Sequence, residues 1–135
     1  MIKRMKCVAV CGVALFAMWS VAAQAWDGGQ WEGSDPAIRA WYKSLMQPDN
    51  KWISCCGEAD AYYADGVETK DGHLVAVITD DRPDEPLGRH HVPVGTRIVI
   101  PSHKIKWDQG NPTGHIVVFL SYDNDVYCYV QNGGV

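Results

Sequence analysis

Three cysteines constrain what this chain can become. Cys55 and Cys56 are adjacent, and Cys128 comes late, inside Val126-Tyr-Cys-Tyr-Val130. Strand alternation places Val126, Cys128 and Val130 on one face and Tyr127 and Tyr129 on the other. The valine face is the natural core face, so Cys128 is expected to point inward and to pair with Cys55 or Cys56. Closing a loop of about 70 residues stabilises a folded chain by roughly 4 kcal/mol on the chain-entropy account. That is on the scale of a small domain's whole net stability. One thiol of the vicinal pair is then left over, with four fates open to it: buried and inert, bridged to a second chain, bound to a metal, or nucleophilic. Burial is the default, because an unpaired Cys behaves as a small hydrophobe.

Disulfides persist in oxidising compartments, and the start of the chain supplies a route to one. Met1-Ile-Lys-Arg-Met-Lys6 is basic, Val8 to Val21 is almost uninterruptedly apolar, and Ala23-Gln-Ala25 has the small-x-small form of a cleavage site. Residues 1–25 therefore read as an export signal. The apolar run falls short of the ~20 residues of a membrane anchor, and a lipoprotein would carry its Cys at the end of the run, where Cys7 and Cys11 are not. The mature chain, residues 26–135, is expected to be a single small domain, periplasmic or secreted, with no membrane anchor after cleavage. Without Lys3, Arg4 and Lys6 it has nine basic residues against sixteen acidic ones, a net of −7. Such an acidic chain repels anionic membranes and excludes sequence-independent nucleic-acid binding. The full chain, 47% apolar and 21% charged, does not have the composition of a disordered segment either.

The pattern along residues 26–135 predicts an α+β fold. Trp26 to Gly33 reads as an extended arm. Ser34-Asp-Pro36 is a helix start, a cap followed by proline where its missing N–H costs nothing. Ile38, Trp41, Tyr42 and Leu45 then make one apolar helical face, so a helix is expected over 36–47, ended by Pro48. Cys55 or Cys56 opens a short helical turn. From about residue 61 the period changes to two, and Lys70-Asp-Gly72 predicts a hairpin with the strand His73–Thr79. Asp80 to Arg89, with Pro83, Pro86 and Gly88, is a loop. Val92 to Ile100, bounded by Pro93 and Pro101, is an edge strand, and Ile105 to Trp107 a short one. Ile116–Leu120 and Val126–Val130 form a hairpin around Tyr122-Asp-Asn-Asp125. The expected architecture is one N-terminal helix packed on a small, mostly antiparallel, twisted sheet, with a disulfide staple.

Few residues offer chemistry. Gly114-His115-Ile-Val-Val-Phe-Leu120 is similar to the His-bearing strand of NlpC/P60-type cell-wall peptidases, which implies a cysteine hydrolase using Cys56 and His115. The nucleophile motif of that family, Asp-Cys-Ser-Gly, is absent at Cys55-Cys56-Gly57, and the bland reading of His115 is a strand-edge residue bonded to a turn. Cys55, Cys56, Asp60, His90 and His91 carry donor atoms that would suit zinc or copper, although no spacing matches a known metal motif. Asp80-Asp81-Arg82-Pro83-Asp84-Glu85 lacks the spacing of a calcium loop and reads as a solvated acidic turn partly neutralised by Arg82 and Arg89. Tyr127 and Tyr129 would form an exposed aromatic strip suited to a glycan, peptide or protein partner, unless the helix or the arm covers that face.

Trp52-Ile-Ser-Cys-Cys-Gly-Glu-Ala-Asp-Ala-Tyr62, Ile105-Lys-Trp-Asp-Gln-Gly-Asn-Pro-Thr-Gly114 and Val126-Tyr-Cys-Tyr-Val130 together resemble a group of short exported bacterial proteins of unknown function. Some members carry a further Cys where this chain has Ala61, which leaves an odd cysteine count here and tells against a two-disulfide framework. The resemblance implies export and brings no activity. The leading expectation is a non-enzymatic binding or structural module of the cell envelope, without a cofactor. The alternatives are the cysteine hydrolase and a metal-binding or redox protein using the spare thiol.

Overall fold

The computed structural model describes residues 35–132; the expected export signal and the arm at 26–33 lie outside the described residues. Helix α1, Pro36–Ser44, starts as its sequence dictates. Asp35 caps it by accepting the Ala37 N–H at 2.7 Å, and proline fills the first position. It stops three residues before the expected end. Leu45 turns extended so that its carbonyl accepts the Cys55 N–H at 2.9 Å, while its side chain still completes the helix's apolar face. Met46–Gln47 and Asn50–Ser54 then pair as the antiparallel strands β1 and β2, a hairpin that the sequence pattern does not announce.

A short 3-10 turn at Glu58–Asp60 leads into the main sheet. Its strands are β3 (Ala61–Lys70), β4 (His73–Ile78), β5 (Arg97–Ile100), β6 (Ile105–Lys106), β7 (Ile116–Leu120) and β8 (Val126–Val130), in the spatial order β5-β4-β3-β7-β8-β6. Every pairing is antiparallel except β6 with β8. The β3–β4 hairpin turns through Asp71 and Gly72, both at positive φ (52° and 80°), as a tight two-residue turn requires. The edge strand expected over 92–100 is only four residues long, because a turn closed by the Thr96 N–H on the Pro93 carbonyl occupies its first half.

The sheet curls. Ile98 and Ile100 of β5 share one apolar cluster with Val126 and Tyr129 of β8, although three strands separate them in the sheet. Tyr62, Ile78, Val92, Val118 and Leu120 fill the same concave side. The convex side carries α1: Tyr42 and Leu45 pack on Ala61, Val117, Phe119, Cys128 and Val130. Tyr42 meets Phe119 edge to face at 5.9 Å between ring centroids. Cys55 is bonded to Cys128 with their Cα atoms 5.6 Å apart, and both are fully buried beneath the helix.

Strand β8 corrects a sequence expectation. Phe119 pairs with Cys128 but Leu120 pairs with Val126, so two steps along β8 oppose one along β7. This bulge at Tyr127 breaks the alternation. Val126 and Tyr129 face the concave cluster while Cys128 and Val130 face the helix. Tyr129 is 1% exposed and Tyr127 packs against the helix-side cluster, so these tyrosines form no exposed strip.

Candidate functional site

The loop from Asp80 to His91 is organised by one buried carboxylate. The side chain of Asp80 is 0% exposed and that of Arg89 1%. Asp80 Oδ2 accepts from Arg89 Nη1 at 2.7 Å, Arg82 Nη2 at 2.6 Å and the Tyr63 N–H at 3.0 Å. Its Oδ1 accepts from Arg82 Nε at 2.8 Å and the Arg82 N–H at 3.1 Å. Burial by itself would raise the Asp80 pKa; the Arg82 and Arg89 bonds, with the Tyr63 N–H, overcome it and hold the carboxyl well below the ordinary range. Arg89 also donates to the carbonyls of Ala61 (3.1 Å) and Arg82 (2.8 Å), locking the loop onto the start of β3. The expected solvated acidic turn is thus anchored by a buried ion pair. Arg82 meanwhile lies over the Tyr63 ring, 3.7 Å from its centroid.

This anchoring shapes a cleft of about 370 Å³ built from three connections: Ala59 and Asp60 of the 3-10 turn, Gly88 to His91 of the loop, and Tyr122 of the β7–β8 turn. Gly88 sits at φ 67°, which lets the loop reverse just before Arg89. The Tyr62 hydroxyl donates to the His90 carbonyl at 2.6 Å and lies 3.0 Å from His90 Nδ1, while His90 Nε2 is 2.9 Å from Asn124 Oδ1. His90 thus bridges the loop to the β7–β8 turn. That turn is braced in its own right by Ser121 Oγ, which accepts the N–H groups of Asp123 and Asp125. His91 Nδ1 pairs with Asp84 at 2.8 Å. Tyr122 is 83% exposed, its ring tilted against that of His90 at 5.4 Å.

One polar group at this cleft is unused. Burial pushes the Asp60 carboxyl up, with His90 partly opposing, and among the described residues no side-chain hydrogen bond reaches it. Arg89 Nε is buried and has no hydrogen-bond partner, although the other guanidinium nitrogens do. That side chain is 1% exposed and turned to Asp80 and the Ala61 carbonyl, so the orphan donor belongs to the buried anchor, at a cost of about 1–3 kcal/mol.

Of the residues that the sequence nominated, Asp60, His90 and His91 meet in the cleft. Cys55 and Cys128 form the staple, and Cys56 is the free, exposed thiol. Cys56 takes φ 85°, and burial followed by the Asp60 charge pushes its thiol up, the reverse of nucleophile activation. His115 stacks on Tyr63 at 4.3 Å. It stands four positions before Phe119 on β7, and Phe119 pairs with Cys128, the partner of Cys55. Cys56 Sγ instead meets the Ser54 carbonyl at 3.7 Å, and among the described residues no hydrogen bond joins it to His115. The hydrolase pair is not assembled. Nor does a zinc or copper set come together: the Cys55 sulfur is spent in the disulfide, both His90 nitrogens are engaged and His91 is held by Asp84. Among the described residues no group of three His, Cys, Asp or Glu side chains is placed to hold a metal ion.

Sequence reasoning missed Arg89 and Tyr122 as site residues. Arg89 reads as a counter-charge for the acidic loop and Tyr122 as turn chemistry, and no periodicity links two loops and a hairpin turn. No family model, curated protein or solved structure matches this chain.

Proposed function

We propose that this protein is an exported, non-enzymatic binding domain of the cell envelope whose ligand site is the cleft between Asp60, Arg89, His90, His91 and Tyr122. Its amino-terminal basic and apolar pattern supports export, as does the buried Cys55–Cys128 bond, which suits an oxidising compartment. The observation that carries the binding reading is the cleft itself, a concave surface where the half-buried Asp60 carboxyl meets His90, His91 and the exposed Tyr122 ring. Binding is favoured over hydrolysis because the Cys56 thiol is pushed up rather than activated and meets the Ser54 carbonyl, while His115 stacks on Tyr63.

Amide chemical shifts of the oxidised protein test this. Titration with a panel of amino acids, dipeptides, saccharides, acetate and inorganic phosphate is expected to move the signals of Asp60, Gly88 to His91 and Tyr122 for at least one class. A panel in which no class moves them would overturn the site.

A further inference from the structure

We infer that His90 is a proton-dependent latch between the 80–91 loop and the β7–β8 turn, closed while both ring nitrogens carry a proton and released at Asn124 when one is lost. The latch belongs to the protein's own loops. Its effect on a ligand, but not the latch itself, rests on the cleft being the ligand site.

Counting protons gives the device. A carbonyl oxygen has no hydrogen to give, so at 2.6 Å the Tyr62 hydroxyl spends its single proton on the His90 carbonyl. Burial pushes the Tyr62 phenol up to about 12, so that proton stays in place at neutral pH. The hydroxyl then offers His90 Nδ1, 3.0 Å away, a lone pair, and Nδ1 is the donor. At the other end Nε2 faces a second acceptor, Asn124 Oδ1, at 2.9 Å. Both bonds together need a ring with two N–H groups, which only the imidazolium has. The two ends are not equal. Tyr62 is 1% exposed, whereas the Asn124 contact lies at the surface. The neutral ring therefore keeps Nδ1–H and gives up Nε2–H, and only the tie to the turn is lost.

The charges around the ring act in the same direction. Asp60 of the 3-10 turn feels the ring's positive charge, which partly offsets what burial does to that carboxyl. The β7–β8 turn brings the Tyr122 ring to 5.4 Å and holds the carboxylates of Asp123 and Asp125. From the loop itself, Arg89 is matched by Asp80 and Asp84, and His91 pairs with Asp84. Loss of the proton thus leaves Asp60 without its facing charge just as Nε2 loses its bond, and both changes loosen the loop's hold on its neighbours.

Long-range proton–nitrogen NMR spectra of the His90 ring and amide hydrogen exchange, both on the oxidised, ligand-free protein over roughly pH 5 to 8, test this. Both ring nitrogens are expected to be protonated at the acid end, and Nε2 alone to lose its proton as pH rises. Protection of the Asn124 amide, which donates to the Ser121 carbonyl at 3.0 Å, should fall about tenfold over the same step, after correction for the intrinsic rate, for the loss of one charged hydrogen bond. Asn124 sits at φ 65°, which Asp also tolerates. Asn124→Asp can accept but never donate, and should enlarge the fall. If the wild-type Asn124 amide turned and donated to a neutral Nε2, protection would fall only in Asn124→Asp, and the latch would be overturned. A neutral ring protonated at Nε2 rather than Nδ1, level protection in both proteins, or a fall that persists in His90→Ala would overturn it too. No ligand enters these measurements, so their failure leaves the binding role of the cleft standing.

Discussion

Replacing Asp80 by Asn tests whether the buried carboxylate organises the molecule. Asn keeps the shape and one acceptor oxygen but removes the charge. Arg89, with a side chain 1% exposed, would retain only Asp84 at 3.5 Å as a counter-ion. The replacement amide also places N–H groups against donors of Arg82 and Arg89 that now find an oxygen at 2.6–2.8 Å. Removing one partner of a buried ion pair costs about 3–5 kcal/mol, and the retained acceptor puts this case at the lower end, about 3 kcal/mol. Against a net stability of about 5–15 kcal/mol for a domain, that loss is large.

Urea denaturation followed by circular dichroism at pH 7 measures it directly, and pH supplies a second readout. The folded pKa of Asp80 is depressed, so its contribution is complete above the unfolded carboxylate range near ~4 and drains away as pH falls through the folded value. Wild-type stability should fall on acidification below pH ~4 more steeply than that of Asp80→Asn, so that the two curves converge. A loss under about 1 kcal/mol at pH 7, or parallel curves on acidification, would refute the anchoring argument.

Three further expectations use the same assay or a simple companion. Cys55→Ala with Cys128→Ala removes a staple between residues 73 apart, and should cost about 4 kcal/mol in urea, with no effect of reductant on the double variant. Tyr129→Ala should destabilise by about 3–5 kcal/mol as a buried aromatic, whereas Tyr122→Ala, at a side chain 83% exposed, should change stability by less than about 0.5 kcal/mol. Asp60→Asn should speed alkylation of Cys56 by iodoacetamide at neutral pH, because one cause of its raised thiol pKa is removed while burial persists; an unchanged rate would leave burial as the whole cause.

Where local chemistry decides a structure, the sequence was readable. Asp71-Gly72 and Tyr122-Asp-Asn-Asp125 announce their hairpins because few residues tolerate positive φ, and Asp35-Pro36 announces the helix start through a cap that the structure contains. Where two demands meet on one residue, it was not. Leu45 belongs to the helical face by spacing, but its carbonyl is taken by Cys55, so the helix ends at Ser44. The β8 bulge reverses the facing of Val126 relative to Cys128, and nothing in Val-Tyr-Cys-Tyr-Val signals an inserted step. Adjacent Cys55 and Cys56 could not be ranked by spacing; the choice follows from the Leu45–Cys55 hydrogen bond, which turns Cys55 under the helix. The cleft was half legible. Asp60, His90 and His91 stand out as titratable groups, but their meeting with Tyr122 depends on loops whose approach only the tertiary structure sets.

The order of the sheet has one more consequence. Its two rims are β5, four residues long and followed by Pro101, and β6, two residues long. Open rims invite a neighbour's backbone to add itself and start a fibril, and brevity is one of the ways natural sheets refuse. Among the described residues, each of these rim strands offers only a short row of free amide and carbonyl groups. Backbone pairing through these two rim strands is therefore disfavoured at high local concentration.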